Sequence, residues 1–300
     1  MLLEFGPSGY GPAGKPTVRR VELFTDWVET QALLLGEALT KPELVDRLEG
    51  SGLVLDSDDA WRLVGDAFTA AKGRRRSLGA SYPFAIAGEC IEVGDPRQTA
   101  YIFCLMASIP EQIDVLRKGY DQRFRDIFEE IVVEALKGLM PQWAVYSTGW
   151  AASARHGKGQ IVERIADWSR AKIIDLDIFA DANDGQVDVA LVRGLPDRRS
   201  SFPVILGQCT TSVRDWKNKA IRPNLDKWTM AIQFPCLPGK LFAVPFAFDD
   251  SSFLEAASES RGFVLDRIRV CGAVTELGED LTRRAQDWIE GAFKQLPLAA

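Results

Sequence analysis

The chain predicts an α/β fold, and three features carry that prediction. A helix with a single apolar stripe, "YDQRFRDIFEEIVVEALKGLMP", precedes an apolar hairpin, "DGQVDVALVRGLPDRRSSFPVILGQCTTS". Apolar strands and amphipathic helices then alternate towards the C-terminus, the order that sets helices against a mixed sheet. With 300 residues, 46% hydrophobic and 26% charged, the chain can build one large core or two modest ones.

Residues 1–17 are rich in glycine and proline and predict an irregular tail. "VELFTDWVETQALLL" has helical spacing, "TKPELVDRLEGSGL" opens on a helix-start signal and closes at glycines, and "SDDAWRLVGDAFTAAKGRRR" is a third helix. "YPFAIAGECIEVGD" reads as two short strands turning at Ala87-Gly88, and "QTAYIFCLMASIP" as an apolar helix that ends at Pro110. Three helices followed by a hairpin resemble a winged-helix module, so residues 18–110 are expected to form a smaller, mainly helical, winged-helix-like domain. Residues 111–300 are expected to form the α/β domain.

That second domain opens on the strongest amphipathic helix. Phe124, Ile127, Phe128, Ile131, Val132, Ala135, Leu136 and Leu139 step alternately by three and one, so they share one face. At about 100° per residue, Glu129 falls on the edge of that stripe and Glu130 on the other side, so only Glu129 can reach a neighbouring sheet. "WAVYSTGW" and "KIIDLDIFA" then predict strands, "QIVERIADWSRA" a helix, "VRDWKNKAI" a helix capped by Ser212, and "KLFAVPFAF" a strand. "RGFVLDRIRV" is strand or helix, and "EDLTRRAQDWIEGAFKQL" is a terminal amphipathic helix.

Composition removes several mechanisms. The one histidine, His156, rules out catalysts that need two imidazoles, and its Gly- and Lys-rich surroundings mark a surface loop. Neither a P-loop nor a G-x-G-x-x-G pattern occurs, so no nucleotide cofactor is expected. Cys90, Cys104, Cys209, Cys236 and Cys271 are odd in number and irregularly spaced, which gives neither a disulfide framework nor a zinc site. No stretch has the length and apolarity of a membrane span or a leader, which predicts a cytoplasmic protein. A net charge of −6 argues against a protein that coats nucleic acid, but not against local grip by Lys72–Arg76, Arg198 with Arg199, or Arg214–Arg222.

The hairpin is the chemical feature. In "VDVALV" Asp188 alternates with Ala190 and Val192, and in "VILGQCTT" Gln208 shares a face with Val204, Leu206 and Thr210. An antiparallel hairpin centred on Arg198 sets Asp188 opposite Gln208, within reach of a shared ligand. A carboxylate half-buried among apolar neighbours requires a partner or a cation. Mg²⁺ suits it, because that ion takes one or two carboxylates, a main-chain carbonyl and waters. A simpler reading makes Asp188 the end of the turn begun at Asp184-Gly185, and Gln208 a cross-strand hydrogen bonder facing solvent. The run "FPVIL" argues instead for burial on both faces.

A helix carrying "FEE", then strands, then Asp188 on a hairpin whose second strand bears a polar-x-polar triplet, then a helix, resembles the PD-(D/E)xK, or restriction-endonuclease-like, nuclease superfamily over residues 115–235. The resemblance implies a mixed central sheet flanked by helices, hydrolysis of phosphodiester bonds, DNA as substrate, and Mg²⁺ or Mn²⁺ as cofactor. It implies Asp188 as principal metal ligand, Gln208 at the second acidic position, the Cys209 carbonyl as main-chain ligand, and Glu129 as the accessory helix glutamate. Thr210 falls at the lysine position, which leaves Lys217, or Lys219, to supply the cation from the following helix. Arg198, Arg199, Arg214 and Lys219 are the expected nucleic-acid contacts. "ILGQCTTSVRDWKNK" also resembles bacterial members thought to act in defence against phage. Glutamine brings no negative charge and threonine no positive one, so the competing expectation is a catalytically degenerate subunit that binds nucleic acid, a protein partner or a second copy. Glu163, Asp175 and Asp177 are further carboxylates near the site in sequence; Trp150, Trp168, Trp216 and Trp228 are expected to pack rather than to stack on bases.

Overall fold

In the computed structural model, which describes residues 20–50, 56–109, 123–148, 160–179, 186–197, 199–213 and 215–295, the first helix, α1 (Arg20–Leu35), leads into a two-residue strand, β1 (Leu39–Thr40), and helix α2 (Lys41–Gly50). Glu43 fixes the start of α2 by accepting from the Thr40 main-chain N–H (2.8 Å) and the Thr40 hydroxyl (2.7 Å). Helix α3 (Ser57–Leu78) begins where Asp56 accepts from the Asp59 N–H at 2.7 Å. Strands β2 (Phe84–Ala87) and β3 (Cys90–Val93) turn at Gly88, whose φ of 60° favours glycine. The small sheet has the order β1-β3-β2, antiparallel throughout. Strand β1 is too short to show a period in the sequence.

Helix α4 (Thr99–Ser108) is buried along its whole length. Its neighbours explain why: it packs between the N-terminal elements and helices α5 (Phe124–Leu139) and α11 (Glu279–Gln295). One hydrophobic cluster runs without a break from Trp27, Leu44 and Phe68 through Phe103 to Ile131, Leu191, Leu241 and Ile289. That cluster takes in residues from both sides of the boundary expected at Pro110, with α4 among its members.

Between α5 and α11 come strand β4 (Ala144–Ser147), helix α6 (Gln160–Ser169) and strand β5 (Lys172–Ile173). The hairpin β6 (Val189–Val192) and β7 (Val204–Cys209) is followed by helices α7 (Trp216–Ala220) and α8 (Leu225–Ala231) and strand β8 (Ile232–Gln233). Strand β9 (Gly239–Ala243), helix α9 (Asp250–Ser260), strand β10 (Phe263–Leu265) and helix α10 (Arg267–Ala273) complete the chain order. The main sheet has the order β10-β9-β7-β6-β4, with β6 antiparallel to both its neighbours and β7, β9 and β10 parallel. In "RGFVLDRIRV", Asp266 divides strand from helix by accepting from the Arg269 N–H at 3.1 Å.

Helices cover both faces of this sheet. Val189, Leu191, Ile205, Cys209, Leu241 and Ala243 pack on the α5 side. Ala190, Val192, Val204 and Leu206 pack against Ile161, Ile165 and Trp228, and Phe242 packs against Trp216 and Val244, on the other. The chain is thus a mixed α/β structure, as its sequence predicts. Two elements are shorter than their sequences suggest. "KIIDLDIFA" yields β5, which pairs with β8 outside the main sheet, and a 3-10 turn at Asp177–Phe179, so its aspartates lie beyond the strand. "VRDWKNKAI" yields only α7, whose N-cap is Asp215, so the helix starts later than expected.

Candidate active site on the hairpin of β6 and β7

The hairpin pairs Val189 with Gly207 and Val192 with Val204, the register expected for a turn centred on residue 198. Next to that ladder the Asp188 N–H donates to the Gly207 carbonyl at 2.8 Å, one step off the register. Alternation stops there, so Val187 joins the same apolar cluster as Ala190 and Val192. Thr148 braces the irregular turn from the β4 side. Its main-chain N–H donates to the Asp188 carbonyl at 2.8 Å and its hydroxyl to the Val187 carbonyl at 2.7 Å.

The Asp188 side chain is only 5% exposed. Its Oδ2 accepts from the Cys209 main-chain N–H at 2.7 Å and from the Gln208 side-chain amide. The same amide nitrogen donates to the Cys209 carbonyl at 2.9 Å. Two oxygens, one of them anionic, therefore converge on one electropositive group. The sequence reading of Asp188 beside Gln208 matches this geometry. Beside the pair, Gly207 leaves room for its neighbours in the sheet: a Cβ there would lie 2.6 Å from Val189 Cγ1 and 2.9 Å from Leu241 Cδ2.

Glu129 enters from α5. Burial pushes the Cys209 thiol well up, and the charges of Asp188 and Glu129 push it further, so the fields of both carboxylates meet at that sulfur. Glu130 points elsewhere and holds Arg284 of α11, with its Oε1 accepting at 3.0 Å. The helical stripe separated these two neighbours correctly.

The donor set fits a hard cation, given one change. Among the described residues no group of three or more His, Cys, Asp or Glu side chains stands close enough to hold a metal alone. An ion here would need Asp188, the Cys209 carbonyl, Glu129, water, and the oxygen end of Gln208. An end-for-end turn of the amide brings that oxygen to where its nitrogen now lies. Mg²⁺ and Mn²⁺ accept such oxygen-rich shells with one or two carboxylates.

The other expected residues are dispersed. Lys217 pairs with Glu255 of α9 and lies 5.5 Å from the Trp216 ring centroid. Lys219 is half-buried on α7, and the Thr210 hydroxyl accepts from the Ser212 N–H at 3.2 Å. Ser212 in turn accepts from the Asp215 N–H at 3.3 Å, but the N-cap of α7 is Asp215, so Ser212 does not cap that helix as its sequence suggests. Arg199, at the turn end of the hairpin, lies near Asp197 at 3.8 Å and is remote from Asp188. From Gln208 to Val204 alone is roughly 13 Å of strand, so Arg199 and Asp188 do not form one site. Arg198, Arg214, His156 and Trp150 lie outside the described residues. Glu163 and Asp175 are exposed. Trp216 and Trp228 are fully buried and Trp168 stacks on Tyr146 at 4.0 Å, so these rings pack the core. Sequence reasoning missed Thr148, whose only signal was a polar residue closing "AVYST".

Comparison of the chain with protein-family models, curated proteins and solved structures finds no match. Among the described residues no helix is long and apolar enough to cross a membrane.

Proposed function

We propose that the protein is a divalent-cation-dependent nuclease on a restriction-endonuclease-like core, hydrolysing phosphodiester bonds in DNA. One observation carries this reading: the Asp188 carboxylate and the Cys209 carbonyl face the same Gln208 side-chain amide, so that two protein oxygens, with the amide oxygen once the amide turns, lie close enough to share one cation. The order of elements supports it, with a glutamate-bearing helix, a strand, an acid-bearing hairpin, helices and a parallel strand following one another.

Asp188 and Glu129 would supply the negative charge, and the Cys209 carbonyl and Gln208 amide oxygen the neutral ligands. Mg²⁺ or Mn²⁺ in that shell supplies charge to stabilise the leaving oxygen and acidifies the attacking water. Burial of Asp188 keeps its field undiluted by solvent. The Cys209 N–H holds the carboxylate and Thr148 holds the backbone that carries it, so little reorganisation is needed. Lys217 has first to leave Glu255, a half-exposed pair worth under about 1 kcal/mol, before it can orient water or phosphate.

A second reading rests on a different observation. The Gln208 amide already satisfies both oxygens, Thr210 is engaged with the Ser212 N–H, and Lys217 is paired. On that reading the site is degenerate and the chain is a nucleic-acid or protein binding subunit. Plasmid incubated with Mn²⁺ and wild-type or Asp188→Ala protein separates the two. Cutting by the wild type alone supports the nuclease. If only Gln208→Glu with Thr210→Lys cuts, the site is degenerate.

A further inference from the structure

A cleft of about 640 Å³ opens beside the hairpin, lined by Gln186, Arg222, Asp226, Lys227, Lys240 and Arg261 among others. Its lining sets four cations against one carboxylate in a chain whose net charge is −6. Among the described residues none of the four cations has an ion-pair partner. Such a concentration of unneutralised charge in a concave site attracts a polyanion.

The fold forces this charge together. Lys240 stands beside Leu206 in the parallel ladder, two residues before Phe242, which stands beside Gln208. By alternation Lys240 and Gln208 share a face, and their backbones are roughly 8 Å apart across one strand spacing and two residues. The Lys240 ammonium donates to the Ile221 carbonyl at 2.6 Å, which fixes it at the mouth of the α7–α8 connection. Arg261 sits in the left-handed region, φ 51°, where most side chains are disfavoured. Burial and the charge of Arg261 both hold the Lys240 ammonium below its ordinary range. A bound anion would relieve that repulsion.

We propose that Arg222, Lys227, Lys240 and Arg261 form a phosphate site for a nucleic-acid strand, seated next to the Asp188–Gln208 pair. This rests on the nuclease reading for its choice of ligand and extends it to residues outside the hairpin. The strand lies in the cleft, beside the α7–α8 connection. Its phosphates are held by charge rather than by base identity, so binding is indifferent to sequence and falls steeply with salt.

The test is fluorescence anisotropy of a labelled oligonucleotide, as single strand and as duplex, with the full chain in EDTA over a series of salt concentrations. Lys240→Gln combined with Arg261→Asn removes two of the cleft's four cations, asparagine being tolerant of the left-handed backbone. Lys137→Gln combined with Lys294→Gln removes two cations elsewhere. The cleft variant is expected to bind about tenfold more weakly, with the slope of log K against log salt reduced by about two, while the second variant matches the wild type. An unchanged melting temperature shows that the cleft variant is folded; if it is not, Lys227→Gln with Arg222→Gln repeats the measurement. The idea is overturned if the wild type binds neither oligonucleotide, or if removing the two cleft cations leaves affinity and slope unchanged. Cutting in Mn²⁺ is scored separately. A protein that cuts but ignores the cleft substitutions sinks only the cleft, and one that binds through the cleft without cutting sinks only the nuclease.

Discussion

Arg267 grips Asp26 through two parallel bonds of 2.7 and 2.8 Å, across 241 positions of chain, with its side chain fully buried. Arg74 joins them from α3, also bonding Asp26 at 2.7 Å, with Glu29 at 3.0 Å. The pair fastens α1 to α10 and so ties the N-terminal elements to the sheet. Removing one member of a buried pair leaves the other charge without compensation, at a cost of about 3–5 kcal/mol. Arg267→Met should therefore lower the urea midpoint strongly, whereas an exposed change such as Arg199→Gln should leave it within error. Equal midpoints would show that the pair contributes nothing.

The same cluster makes stability depend on pH. Glu22, Asp26 and Glu29 face two guanidiniums, one carboxylate more than the cations can balance. Burial, aided by Asp26 and opposed by Arg74 and Arg267, raises Glu29 above its ordinary 4.5. Burial also raises Asp266. A raised carboxylate stabilises the fold fully below its unfolded value, and that contribution is lost as pH rises through the folded value. Asp26 runs the other way: burial alone would raise it, but Arg267 and Arg74 together hold it down, so its contribution is lost as pH falls. Glu29→Gln should flatten the decline in stability above about pH 4.5. Urea midpoints across pH check this, and parallel curves for the two proteins would contradict it.

Close backbone approach gives a third prediction. A Cβ at Gly138 would come within 2.1 Å of the Ala273 carbonyl oxygen, so α5 and α10 touch backbone to backbone there. At Gly207 the obstacles are side chains, those of Val189 and Leu241, rather than main chain. Gly138→Ala should cost at the upper end of the 1–3 kcal/mol typical of overpacking, about, and Gly207→Ala less. Thermal unfolding of both variants decides the order.

Cysteine reactivity follows from burial. Cys104, Cys209 and Cys271 are buried, while Cys90 and Cys236 are partly exposed. The Cys209 and Cys271 thiols are pushed well up, chiefly by burial, and so hold little thiolate at neutral pH. Iodoacetamide should modify Cys90 and Cys236 in the native protein and the other three only after denaturation. Fast native labelling of Cys209, read by peptide mass, would mean that the site is open to solvent.

The elements with strong periods were legible. The stripe on α5 told Glu129 from Glu130, and the hairpin register followed from its turn. What was not legible depended on contacts distant in sequence. No local pattern reveals that Arg267 would meet Asp26, or which elements would pack around a helix as apolar as α4. The basic cleft was invisible for the same reason: Arg222, Lys227, Lys240 and Arg261 are scattered along the chain and meet only because β9 lies parallel to β7. Lys217 and Arg199 show the converse, since nearness in sequence to the hairpin did not bring either to Asp188.

Titration of Mn²⁺ into the metal-free full chain, followed by calorimetry, bears most directly on the hairpin site. One binding event is expected, tightened by Gln208→Glu, which adds the missing charge, and abolished by Asp188→Ala. Binding that survives Asp188→Ala unchanged, or no binding to either the wild type or Gln208→Glu, would contradict the assignment.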